Sequence, residues 1–131
     1  MTVVLDSWAV LRFLEDADPA AAAVGALLDD EMPLMSWINL GEVHYVLRRL
    51  TGEARAADAV RDLRAVLDVR LPDETLVLHA ARIKADHPMA YADAFAAALA
   101  EAQRATLWTG DPELLVSGAP WRWRDLRSTH P

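Results

Sequence analysis

Four short β-rich runs, separated by stretches of helical spacing, constrain the fold of this chain most. Thr2–Leu5, Pro33–Ser36, Val69–Leu71 and Ala105–Trp108 read as strands. Strands that alternate with helices are joined by crossovers. The expected class is therefore α/β, with a mostly parallel central sheet covered on both sides.

The intervening segments carry their own start and stop signals. Ser7 is placed to cap SWAVLRFLEDA, in which Val10, Leu11 and Leu14 have helical spacing. Asp18–Pro19 reads as a cap and a first helical residue, opening an alanine-rich helix to about Asp30. Ser36 caps WINLGEVHYVLRRL, whose stripe is Leu40, Val43, Leu47 and Leu50, and Gly52 ends it. Residues 53–67 repeat Ala57, Val60, Leu63 and Leu67. Another helix runs from about Asp73 to Asp86, and MAYADAFAAALA (89–100) follows Pro88. Pro112 starts a turn or short helix. No repeat or linker divides the 131 residues, so 1–131 is expected to be a single domain, and 119–131 (APWRWRDLRSTHP) a basic, aromatic, peripheral tail.

Composition removes several classes. Without cysteine there are no disulfides, thiolate zinc sites or cysteine nucleophiles, which fits a reducing, cytoplasmic setting. MTVVLD lacks the pattern of a signal peptide, and no 18-residue apolar run suggests a membrane span. The net charge of −7 argues against gripping nucleic acid through a broad positive face. It leaves room for a local site where metal ions reverse the sign.

Four of the 20 acids stand out by setting. Asp6 directly follows the first strand, where ligands collect beyond the carboxyl ends of parallel strands; it either points into that crevice or caps the next helix. Glu42 lies on the edge of the apolar side of its helix, as a site residue, a rim residue, or a partner for Arg12 or Arg49. Asp93 sits among Met89, Ala90, Ala96 and Ala97 with no cation one turn away, so its compensation comes from an ion, water, or Arg82 or Lys84 of the preceding helix. Asp111 follows the late strand and a Thr–Gly turn, and Thr109 adds a hydroxyl that can orient water or a neighbouring carboxylate.

Were these acids to converge, they would repel. Two charges about 4 Å apart interact by roughly 4 kcal/mol at an effective dielectric near 20, so such a cluster needs cations or protons. Oxygen-only ligands suit Mg²⁺ or Mn²⁺ better than zinc, and such an ion beside a phosphate activates water for phosphodiester hydrolysis.

VVLDSWAV (3–10), INLGEV (38–43), MAYADAFAAALA (89–100) and TGDPEL (109–114) occur in the order found in the PIN-domain family. The chain resembles especially its VapC-like toxin ribonucleases. That resemblance implies a three-layer α/β/α fold and Mg²⁺- or Mn²⁺-dependent cleavage of RNA. It assigns the metal site to Asp6, Glu42, Asp93 and Asp111, with Ser7 or Thr109 supplying a hydroxyl. It also implies a homodimer and a cognate antitoxin protein. Asn39 either orients Glu42 or caps locally. Trp8 replaces a usually smaller residue, as a pocket wall, a stacking surface, or part of the core or a dimer face; WRWRDLR is suited to grip RNA, an acidic partner, or the sheet.

Two other classes compete. A metal phosphatase or phosphotransferase commonly carries a second acid two positions after the strand-end nucleophile, and here that position is Trp8. A non-catalytic protein with the same fold would use the acidic cleft to hold a basic segment. Phosphate-loop and dinucleotide glycine signatures are absent.

Overall fold

The computed structural model describes residues 2–128. Eleven elements follow in chain order: β1 Val3–Leu5, α1 Ser7–Leu14, α2 Ala20–Asp30, β2 Leu34–Ser36, α3 Trp37–Thr51, α4 Glu53–Val66, β3 Asp68–Arg70, α5 Glu74–Asp86, α6 Tyr91–Ala102, β4 Thr106–Thr109 and β5 Arg122–Asp125. The five strands form one sheet in the order β3-β2-β1-β4-β5, and every described pairing is parallel. This is the expected α/β/α architecture with a short parallel sheet.

Strand alternation divides the core into two layers. Val4, Leu34 and Leu107 point towards α5 and α6; Val3, Leu5, Met35 and Trp108 point towards α1–α4. Between the sheet and α5 runs α6, with every residue from Asp93 to Ala100 buried. Five of those eight are alanines, whose methyl groups let the helix backbone lie close to the strands. Larger side chains would hold it away.

The chain reverses direction across the sheet at β1. From β1 it steps to β2 and β3 on one side, and β4 and β5 fill the other. The crevice between the carboxyl ends of β1 and β4 is thus the topological switch point, where open α/β sheets accommodate ligands.

Several local expectations are corrected. Asp6, rather than Ser7, caps α1: its Oδ1 accepts from the Ala9 amide at 2.8 Å, and the hydroxyl of Ser7 turns to the Asn39 carbonyl at 3.0 Å. Leu50 is 72% exposed and so leaves the stripe of α3, while on α4 Ala56 is buried in place of Ala57. Each of these two helices turns its face slightly from the one the spacing suggested.

The larger correction concerns the tail. Residues 122–125 are β5, paired in register with all of β4. Trp121 and Leu126 flank the strand and enter opposite core layers. The indole of Trp121 donates to the Leu114 carbonyl at 3.0 Å and meets His87 edge-on. Far from peripheral, the segment closes one side of the sheet; positions 129–131 lie outside the described residues.

Trp121→Ala is therefore expected to lower the unfolding free energy by about 3–5 kcal/mol, the usual result of emptying an aromatic core site. Arg122→Ala, on the exposed strand, should change it by less than about 0.5 kcal/mol. Equal small losses in denaturant titrations would place the tail outside the core.

Candidate metal centre

Asp6 anchors the switch-point crevice. One carboxylate oxygen caps α1, and the other accepts a hydrogen bond from the Thr109 hydroxyl. That hydroxyl also accepts from the Asp111 amide at 3.0 Å, so its donor and an acceptor lone pair are both engaged. The end of β1 is thereby joined to the end of β4 through side chains as well as the sheet ladder.

The loop after β4 is a β-turn. Asp111 O accepts from Leu114 N at 3.0 Å, Pro112 occupies the second position, and buried Leu114 anchors the exit. Asp111 Oδ1 accepts from Glu113 N at 3.0 Å. Glu113 in turn reaches the start of α6, where its Oε2 accepts from Ala90 N at 3.1 Å. It satisfies the amide of the N-cap residue itself, one of the donors that a helix start leaves without an intrahelical partner.

Asp93 lies in the first turn of α6, its carboxyl within hydrogen-bonding reach of Asp111. Carboxylate oxygens of Asp93, Asp111 and Glu113 lie within 4.8 Å of one another. Asp6 and Glu42 are near enough to act electrostatically on Asp93, and Asp111 and Glu42 act on Asp6. The four predicted acids thus occupy one neighbourhood. Glu113 joins it unannounced, although its position two residues after Asp111 was a readable signal.

Burial dominates the electrostatics. Desolvation pushes Asp6 up to about 7, with the charges of Asp111 and Glu42 adding to it, and the hydrogen bonds from Thr109 and Ala9 pull the other way. Asp93 is pushed up to about 8, first by desolvation, then by the charge of Asp111 and the hydrogen bond between them. Among the described residues no arginine, lysine or histidine pairs with any of the five acids. Lys84 instead donates to the Met89 carbonyl, and Arg12 pairs with Glu15. The centre must hold protons or bind a cation from solution. Its all-oxygen donor set fits a hard divalent ion.

Asn39 takes a role that neither sequence expectation gave it, whereas Trp8 takes up two of those weighed for it, a pocket wall that also packs against the core. Buried Asn39 neither holds Glu42 nor caps α3, which Ser36 does. Its Nδ2 donates to the Ala92 carbonyl at 3.0 Å and to Ser7 Oγ at 3.4 Å. Asn39 therefore ties together α1, α3 and α6 beside three of the acids. Trp8 lies against Gly110: a Cβ built at that glycine would meet the indole at 2.3 Å. The ring walls the crevice beside Thr109 and Asp111.

An acid whose pKa is higher folded than unfolded holds its proton more firmly when folded. The stability this adds is complete below about pH 4 and is lost as pH rises through about 7 to 8. Metal-free parent protein should therefore fall behind Asp93→Asn in melting temperature between about pH 5.5 and pH 8.5, since the amide cannot ionise. Mn²⁺ should raise the melting temperature of the parent most at the alkaline end and that of the variant little. Parallel pH profiles and equal Mn²⁺ effects would exclude the buried acidic centre.

The PIN domain model matches residues 3–116. No curated protein matches the sequence. Among solved structures, VapBC2 from Rickettsia felis, bound to a promoter DNA fragment, is similar at a TM-score of 0.76 and 14% identity, over 95% of this chain and 98% of that one. VapC20 from Mycobacterium tuberculosis, a sarcin–ricin loop cleaving toxin, gives 0.73 and 19%, over 89% and 95%. A toxin–antitoxin complex from Klebsiella pneumoniae gives 0.71 and 15%, over 92% and 99%. At these identities the likeness to solved structures is one of fold. With the family model spanning most of its length, and strand order, helical layers and acidic crevice in place, the chain belongs to the PIN domain family.

Proposed function

We propose that this chain is a divalent-metal-dependent endoribonuclease, the toxin of a toxin–antitoxin pair. One observation carries the reading: a cluster of carboxylates at the switch point, with Asp6 and Asp93 buried and no cation paired to it among the described residues. The similarity in fold to a protein described as a sarcin–ricin loop cleaving toxin supports RNA as substrate.

In this reading Asp6, Asp93 and Asp111 supply oxygen ligands, and Glu42 completes the set or positions the attacking water. A bound Mg²⁺ or Mn²⁺ would polarise the phosphate and activate water for in-line attack. Thr109 holds Asp6 in one orientation while Asp6 also caps α1, so that ligand is fixed at both oxygens. Asp93 must give up its proton to serve as a ligand, which makes loading favoured by rising pH. Water adds to phosphorus, one P–O ester bond breaks, and the leaving oxygen takes a proton.

The partners that follow are RNA, a cognate antitoxin and a second copy of the chain. The likeness to a solved toxin–antitoxin complex supports the antitoxin. Residues 1–131 would act as a single PIN-like domain in the cytoplasm. No described helix is long and apolar enough to cross a membrane.

Sequencing RNA 5′ ends after controlled expression of the parent and of Asp93→Ala tests the reading. Matched cleavage sites are expected in the parent only. With purified protein and Mg²⁺ or Mn²⁺, the variant should cut at least about a hundredfold more slowly, since even residues that merely support a ligand are worth tenfold to a hundredfold. RNA bound by a folded, metal-loaded parent without cleavage would make this a binding protein instead.

A further inference from the structure

The acidic crevice is flanked by the same three-part pattern on two helices. On α1, Trp8 follows Asp6 by two residues, and the guanidinium of Arg12 lies over its ring, 4.7 Å from the centroid. On α3, Tyr45 stands one turn after Glu42 with its hydroxyl 3.5 Å from the Glu42 carboxylate, and Arg49 lies 5.0 Å from the tyrosine centroid. Each helix thus presents an acid, then an aromatic ring, then an arginine four residues beyond the ring.

We propose that Trp8 with Arg12, and Tyr45 with Arg49, are two clamps for single-stranded RNA, each taking an unpaired base on the ring and a phosphate on the guanidinium. The proposal rests on the nuclease reading above and adds how the substrate is held.

Three observations carry it. Both rings belong to the rim of the crevice: the indole packs on Gly110, between Thr109 and Asp111, and the phenol touches Glu42. Both rings keep exposed surface: Trp8 is half-buried at the edge of the core it packs against, and Tyr45 is 45% exposed. Their cations are lightly held as well. Arg12 makes a partly exposed pair with Glu15 at 3.3 Å, and Arg49 has no ion pair among the described residues. By contrast, the arginine–ring pair of Arg124 and Trp108 covers a ring buried in the core.

Magnitudes decide what occupies the rings. An exposed cation–π contact favours the closed pair by about two- to fivefold, whereas stacking of a base on an aromatic side chain is worth about five- to more than a hundredfold. A base therefore displaces the guanidinium, which is then free for the adjacent phosphate. On a chain of net charge −7 with an acidic centre, such local cations are what a polyanion can use. Stacking requires an unpaired base, so the ligand is a single strand or loop rather than a duplex.

Fluorescence anisotropy with the full chain tests this, using a labelled ten-nucleotide single-stranded RNA and the same strand with abasic sites. Ca²⁺ in place of Mg²⁺ keeps the probe intact. The parent should prefer the base-bearing strand, and Trp8→Ala and Tyr45→Ala should each weaken its binding about tenfold and bring that preference towards one. Trp8→Phe and Tyr45→Phe should retain most of it, which separates stacking from a packing defect. Arg12→Gln and Arg49→Gln should weaken both strands alike, each lowering the slope of log affinity against log salt by about 0.7. Equal binding of both strands by the parent, or phenylalanine variants as weak as the alanine ones, would overturn the clamps. Cleavage by the parent in Mn²⁺, measured separately, judges the nuclease reading: its absence with base preference intact would sink that reading alone.

Discussion

Two carboxyl groups removed from water within reach of a third, and given no cation by the described residues, are the constraint around which this structure is organised. Most buried acids are paired, because an isolated charge in the interior is too costly to keep. Asp6 and Asp93 instead sit close to Asp111 and Glu42 and are driven towards the protonated form. That arrangement survives only if the surrounding elements prevent the acids from separating. Those elements do so by specific ties: the Thr109 hydroxyl on Asp6, the turn at Pro112, and the Glu113 carboxylate on the amide of Ala90, the N-cap of α6.

Small residues make the convergence geometrically possible. The alanine run of α6 lets the helix carrying Asp93 lie directly on the sheet, so the acid emerges at the strand ends instead of beyond them. Gly110 leaves room for the Trp8 ring at the crevice wall, where even a methyl group would collide. Asn39 is fully buried, and its amide nitrogen reaches oxygens on two other helices. An aliphatic residue there would remove the ties to Ser7 and to the Ala92 carbonyl, one residue from Asp93, and leave that carbonyl with its helical bond alone.

Much of this was legible in the sequence, because the relevant signals were local. Short β-rich runs separated by helical spacing gave the layers, and the position of each acid relative to a strand end or helix face gave the neighbourhood. What was hidden depended on partners distant in the chain. β5 alternates arginine with tryptophan and has no apolar run of its own; its place comes from pairing with β4 and from Trp121 and Leu126 on either side. Asp6 and Ser7 are both good caps, and only the depth of the crevice decides that the acid caps while the serine turns to α3. Asn39 reads as a local residue because its acceptor lies 53 positions away. Glu113 was passed over because an acid after Asp–Pro reads as an ordinary first-turn residue. Its bond to Ala90 crosses between loops.

The same repulsion that makes the centre costly bears on the order of events in the proposed reaction. A phosphodiester brings a further negative charge, and against several carboxylates in a half-dry crevice its approach is unfavourable until positive charge is present. Protonation relieves the strain but leaves the acids unable to act as full ligands, so protons and metal compete for one set of oxygens. Arg12 of α1 and Arg49 of α3 do not substitute for the ion, since they pair with rings or with Glu15 instead of the acids. In the proposed reaction charge would thus be divided by depth: an ion for the reacting phosphate at the strand ends, guanidinium groups for its neighbours outside. A net acidic protein can then hold a polyanion without a positive face, because each phosphate meets a local cation and the rest of the surface never has to.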